Sequence, residues 1–195
     1  MGQSWIDLFL KTEKGHLFVA IPIDFITQNA KNSSISKRFS NVDELISLIL
    51  SNDLDGIAQD DKQEQAEALY GLVHQKFLLT KEGRDLMIEK WKSKDYPEDF
   101  KCPRVCCKDF RCVPYGTSCD LQKDKVKMFC PNCTDVYNYD SNIDGAYFGP
   151  DWVHFLMNEP HDDFIPKDLP ESYTPHVFGF NVYLPSNAPP TSNDH

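Results

Sequence analysis

The chain has 195 residues, of which 41% are hydrophobic and 12% aromatic, enough for one or two domains with a real core. Its net charge of −10 argues against nonspecific binding to nucleic acid or anionic membrane, which need a basic surface, and leaves room for basic partners. The longest apolar stretch, about Leu17 to Ile23, is interrupted by Pro22 and too short to span a membrane, and the N-terminus carries no basic region followed by an apolar core, so neither a membrane segment nor a signal peptide is expected.

The first 97 residues read as mostly helical. Ser4-Trp5-Ile6-Asp7 resembles a capping box that opens a short helix carrying Trp5, Leu8 and Phe9. Leu17 to Ala20 reads as a short strand. Ser40 is a good N-cap for a helix with Val42, Leu45, Ile46 and Ile49 on one face. A polar, acidic connection follows from Asn52 to Asp61. The next helix puts Ala66, Leu69, Tyr70, Val73 and Phe77 on one stripe, and Thr80 caps another that runs to about Trp91. These stripes explain an ordinary helical core and need no cofactor.

The texture changes near Pro97. Lys101 to Tyr139 is rich in Cys and Pro, with short β-prone runs at Arg111 to Val113, Val126 to Phe129 and Val136 to Tyr139. Ile143 to Gly149 reads as a loop, Asp151 starts a short helix through Asn158, and the Pro-rich remainder is irregular except for Val177 to Leu184.

Five of the seven cysteines fall between Cys102 and Cys119, and without a secretory signal that clustering favours thiols and metal over disulfides. Cys102-Pro-Arg-Val-Cys106-Cys107 and Cys130-Pro-Asn-Cys133 read as two thiolate turns suited to one tetrahedral cation. By spacing alone, either Cys106 or Cys107 completes the first turn. Zinc suits four thiolates in a closed site better than an iron–sulfur cluster does. Because four protein thiolates leave no open position for water, such a site is structural. His74, His154, His161 and His176 are scattered, with no nucleophile, base and orienter pattern beside them, so an enzyme is not expected.

An ordered set of motifs then bears on identity. Ser4-Trp5-Ile6, Glu67-Ala68-Leu69-Tyr70-Gly71-Leu72-Val73-His74, Cys102-Pro103-Arg104-Val105, Cys130-Pro131-Asn132-Cys133 with Asp135-Val136-Tyr137, Asp144-Gly145-Ala146-Tyr147-Phe148-Gly149 and Phe178-Gly179-Phe180 occur at compatible spacing. With these the chain resembles the regulatory (beta) subunits of casein kinase II over about Ser4 to Leu184. The resemblance implies an α+β protein: a mainly helical domain with an acidic loop over 1–97, a zinc ribbon that serves as dimerisation module over 98–154, and a C-terminal kinase-binding segment with a disordered end over 155–195. It implies a non-catalytic subunit of the nucleus and cytoplasm. Such a subunit carries one structural Zn2+ per chain, forms a homodimer, binds and stabilises two catalytic subunits in a heterotetramer, and modulates the choice of protein substrates.

Residue by residue, the resemblance selects Cys107 over Cys106, so that the metal ligands are Cys102, Cys107, Cys130 and Cys133. Cys106, Cys112 and Cys119 are left as bystanders. It puts Pro103, Val105 and Val136 at the dimer interface and Phe178, Phe180 and Val182 against the kinase; an extended segment would set those last three on one face. Asp53, Asp55, Asp60 and Asp61 fall where the family carries a denser acidic loop that binds polyamines and other basic regulators, but Gly56-Ile57-Ala58-Gln59 interrupts the charge here. Two departures matter: Phe178 replaces a usual tyrosine, and Thr117 replaces a bulkier apolar residue at the dimer interface. The competing class is a zinc-ribbon nucleic-acid-binding protein, for which Arg104, Lys108, Arg111, Lys123, Lys125 and Lys127 offer local positive charge.

Overall fold

Ser4 opens a capping box: its hydroxyl accepts the Asp7 N–H at 3.1 Å, and the Asp7 carboxylate accepts the Ser4 N–H at 3.3 Å. The helix so started, α1 (Trp5–Phe9), buries Trp5 and Phe9. The structure is a computed structural model and describes residues 4–51, 61–159, 164 and 176–181. Short helices α2 (Ile23–Ala30), α3 (Ser33–Ser36) and α4 (Val42–Ile49) follow. The N-cap of α4 is Asn41 rather than Ser40, and Asn41 spends its side chain on Glu44, donating from Nδ2 at 2.7 Å.

The central element is α5 (Asp61–Leu78). Its predicted stripe of Ala66, Leu69, Tyr70, Val73 and Phe77 is fully buried. Gly71, Leu72, His74 and Leu78 are buried too, so the helix is covered on more than one side, as expected for an internal helix. It packs on α2, α4 and α6 (Lys81–Lys92) and on a 3-10 turn, Gly145–Tyr147. Thr80 caps α6 by accepting the Gly83 N–H at 3.1 Å.

Leu17 to Ala20 is not a strand. Gly15–Leu17 forms a 3-10 turn, and the extended residues after it are pinned to α5 by side chains. The Ile21 N–H donates to the Tyr70 hydroxyl, which donates to the Val19 carbonyl. His74 Nε2 accepts the Val19 N–H at 3.2 Å, and Lys90 Nζ donates to the Phe18 carbonyl at 2.6 Å. The backbone groups a strand would have paired with another strand are met by residues about 50 positions away.

The second half carries an antiparallel sheet of β1 (Val113–Tyr115), β2 (Lys127–Phe129) and β3 (Val136–Asn138), in that spatial order. Val113 faces Phe129, and Phe129 faces Val136 across the next ladder. The stretch read as a loop, Ile143 to Gly149, is part of the core: Ile143, Ala146 and Phe148 are buried, and Phe148 meets Phe18 at 5.1 Å and His74 at 5.3 Å. Helix α7 (Trp152–Asn158) is fixed by Trp152, whose indole N–H donates to the Pro114 carbonyl at 3.1 Å. A hairpin of β4 (His176–Val177) and β5 (Phe180–Asn181) lies further on. The architecture is α+β. Among the described residues no helix is long and apolar enough to cross a membrane.

Candidate metal centre

Each thiolate turn is shaped by its own backbone. In the first, the Cys107 N–H donates to Arg104 O at 2.9 Å, and Val105–Cys107 forms a 3-10 turn. Lys108 and Asp109 then take left-handed conformations that swing the chain back, so that the Cys102 N–H reaches Phe110 O at 2.8 Å. In the second, the Thr134 N–H donates to Cys130 O at 2.8 Å, with Thr134 left-handed, and the Cys130 N–H reaches Asp135 O at 3.0 Å. An ion pair from Arg104 to Asp135 at 2.8 Å joins the two turns.

The result brings Cys102, Cys107, Cys130 and Cys133 together, with their sulfurs all within 4.8 Å of one another. Cys106 is outside the cluster. Cys102 Sγ and Cys133 Sγ are 3.8 Å apart, and all four cysteines are free thiols. A tetrahedral ion with zinc–sulfur bonds of about 2.3 Å needs sulfur–sulfur edges of about 3.8 Å, so the donor set fits such an ion.

Ionising these sulfurs has a cost that a bound cation would offset. Burial pushes the Cys102 thiol up to about 11 and raises Cys107 as well. The Cys112 thiol and then burial raise Cys130. At Cys133 burial opposes ionisation, but hydrogen bonds from the Tyr137 hydroxyl and the Asp135 backbone outweigh it and bring this thiol down to about 7. Four thiolates so close together repel one another, and a divalent ion removes that cost. The four cysteines could therefore hold a metal ion. Tyr137, part of a motif but given no role by the sequence, has its hydroxyl 3.2 Å from Cys133 Sγ, placed to donate to a thiolate. Its position one strand residue beyond Val136 and four after Cys133 was the available signal.

Of the other sequence-predicted positions, Pro103, Val105 and Val136 flank the cysteine turns and the rest lie elsewhere in the chain. Pro103, Val105 and Val136 are exposed, Val105 at 83%. Thr117 is exposed and bonds to Asp124 at 3.1 Å. Phe178 and Phe180 are exposed at 97% and 78%. They do not lie on one extended run. Phe178 and Gly179 both have positive φ, 50° and 85°, and form the two-residue turn between β4 and β5. Asp61 is the first residue of α5 and lines a cleft of about 590 Å³ with Glu64, Glu67, Lys14 and Arg38. Asp53, Asp55, Asp60 and Val182 lie outside the described residues.

Residues 4–181 match the family described as casein kinase II regulatory subunit. The chain belongs to that family. It is 35% identical over 189 residues to casein kinase II subunit beta of Schizosaccharomyces pombe, an alignment covering 93% of this chain and 80% of that protein. It is 33% identical to casein kinase II subunit beta of Dictyostelium discoideum, covering 93% and 69%, and 32% identical to casein kinase II subunit beta' of Drosophila melanogaster, covering 93% and 84%. As a casein kinase II regulatory subunit the chain is regulatory rather than catalytic, and a catalytic kinase chain is its implied partner. This assignment does not favour the nucleic-acid-binding alternative.

Proposed function

We propose that this chain is a non-catalytic subunit that dimerises through a structural zinc ribbon, binds and stabilises two catalytic casein kinase II subunits, and modulates which protein substrates they meet. The observation that carries the reading is the cluster of four sulfurs within 4.8 Å, in a chain of this family, with Val105 and Val136 exposed beside the ion pair that joins the two cysteine turns. Apolar side chains left bare on a metal-braced rim are suited to burial against a second copy. The tail supports the kinase-binding part: Val177, Phe178 and Phe180 are bare on a short hairpin, and aromatic anchors of this kind often contribute roughly 2 kcal/mol or more each to an interface.

In this reading the regions 1–97, 98–154 and 155–195 divide the labour into scaffold, pairing module and kinase-binding tail. Polyamines or basic proteins would meet the acidic connection and the Asp61–Glu67 face of α5. The working places are the nucleus and the cytoplasm, where the kinase substrates would be.

Native mass spectrometry of the protein, alone and mixed with the catalytic subunit, tests the reading. The expected masses are a dimer with one zinc per chain and a tetramer with two kinase chains. Phe178→Ala with Phe180→Ala should leave the zinc-loaded dimer intact and weaken kinase binding by about tenfold or more. A metal-free monomer, or unchanged kinase affinity in the double variant, would remove the corresponding part.

A further inference from the structure

Cys112 is fully buried and belongs to no set of ligands, yet the strand register sets it beside one. Pro114 has no N–H, so Pro114 and Met128 must be a non-hydrogen-bonded pair of the β1–β2 ladder. The alternation then makes Val113 and Phe129, the last pair of the ladder, hydrogen-bonded, and the same register carried one residue past the strand ends sets Cys112 opposite Cys130 in the non-hydrogen-bonded position. The hydrogen bonds agree. The Cys112 N–H turns away to Phe100 O at 2.9 Å, the Cys130 N–H turns away to Asp135 O at 3.0 Å, and the outward Pro114 carbonyl is taken by Trp152.

Residues so paired point to the same face with Cα atoms about 4.5 Å apart, the closest approach in a sheet. That separation is within the roughly 4.4–6.8 Å that a disulfide spans. Both thiols are free and fully buried, and the nearest hydrogen-bond acceptor of the Cys112 thiol is Phe110 O, 3.9 Å away, a long contact that does not lock it. The register thus sets a fifth cysteine beside one corner of the four-sulfur cluster.

We infer that Cys112 and Cys130 form an oxidisable pair whose disulfide withdraws Cys130 from the metal centre. The inference rests on the zinc reading above. With hydrogen peroxide as oxidant the step balances. The Cys112–Cys130 S–S bond forms and the peroxide O–O bond breaks. The two sulfurs together give up two electrons. The Cys112 thiol supplies one proton and solvent another, and the peroxide leaves as two waters. Cys130 can no longer act as a thiolate ligand, three cysteine ligands remain, and the closed tetrahedral set is broken. A thiol reductant reverses the exchange.

The test starts from metal-loaded protein, with zinc per chain measured by native mass spectrometry. It is then treated with hydrogen peroxide while zinc release is followed with a chromogenic chelator, and the cysteines are mapped by peptide mass spectrometry. Zinc release should accompany a Cys112–Cys130 disulfide and reverse on reduction. Cys112→Ser and Cys112→Val should bind zinc normally and release it about tenfold more slowly under peroxide, because Cys130 has lost its partner. The mapping on the parent chain stands even if a variant folds poorly. A different disulfide, or zinc release as fast in the variants as in the parent, overturns this inference alone. Protein that carries no zinc before treatment overturns the metal reading and this one with it.

Discussion

His74 is fully buried and yet has no unmet bond: Nε2 accepts the Val19 N–H, and Nδ1–H donates to the Tyr147 carbonyl at 3.0 Å. Those two bonds require the neutral ring with its proton on Nδ1. Burial is the main reason its protonation is pushed down to about 3, with the Tyr147 bond pulling the other way. The unfolded chain therefore takes up this proton first, near the ordinary value of 6.5. The stability from neutral His74 is complete above that pH and is lost as pH falls towards 3, at about 1.4 kcal/mol per pH unit. His74→Gln offers a donor and an acceptor without a titrating proton. Urea denaturation of both proteins at about pH 6 and pH 4 should show the parent losing roughly 2–3 kcal/mol more than the variant. Parallel losses would mean that His74 does not titrate in this way. Taking the difference between the two proteins also removes the effect of protonating the cysteines, which both share.

At the scale of elements, α5 carries a residue ill suited to a helix interior, Gly71. Gly71→Ala in an exposed helix would add about 1 kcal/mol of stability. Here the new methyl carbon would sit 2.3 Å from Cδ1 of the Tyr147 ring, so the glycine is what lets the Gly145–Tyr147 turn lie against the helix. The substitution should instead cost about 1–3 kcal/mol. Much of that should return in Gly71→Ala with Tyr147→Leu, read as non-additive denaturation midpoints. A more stable single variant would sink the argument. Such a contact is invisible in sequence, and the contrast with what was legible is instructive. The Ser4 and Thr80 caps, the α5 stripe and the cysteine turns are local patterns, decided within a few residues, and they were readable. Leu17 to Ala20 is not the expected strand, and the expected loop Ile143 to Gly149 is buried, because their backbone and side chains answer to α5, far away in the chain. The choice of Cys107 over Cys106, open by spacing, turns on the 3-10 turn that ends at Cys107. The tail was misread in shape because Phe178 adopts a left-handed conformation that a bulky residue seldom takes.

For the whole molecule, the decisive variable is the proposed metal. Structural sites of this kind can supply on the order of 10 kcal/mol of apparent folding energy, comparable to the entire stability of a domain at about 5–15 kcal/mol. On the proposed reading, removing the ion with a strong chelator should melt the sheet, lower the melting temperature and disperse the proposed dimer. Circular dichroism, melting temperature and assembly state that all stay unchanged on metal loss would refute a structural role. The damage would not stop at the sheet, because the buried side chains form one continuous cluster from Trp5 to Phe164.

The position of α5 between the two halves also governs how the chain can be cut. A fragment ending at residue 97 would keep Phe18 and His74 but lose Phe148, which covers both. A fragment beginning at residue 98 would keep Phe148 and Tyr147 without the helix they rest on. Each piece would offer water an aromatic face that the intact chain hides, and bare faces of that kind make molecules stick together. Truncations at this point should be expected to aggregate, and partial clones of the gene would be better ended elsewhere.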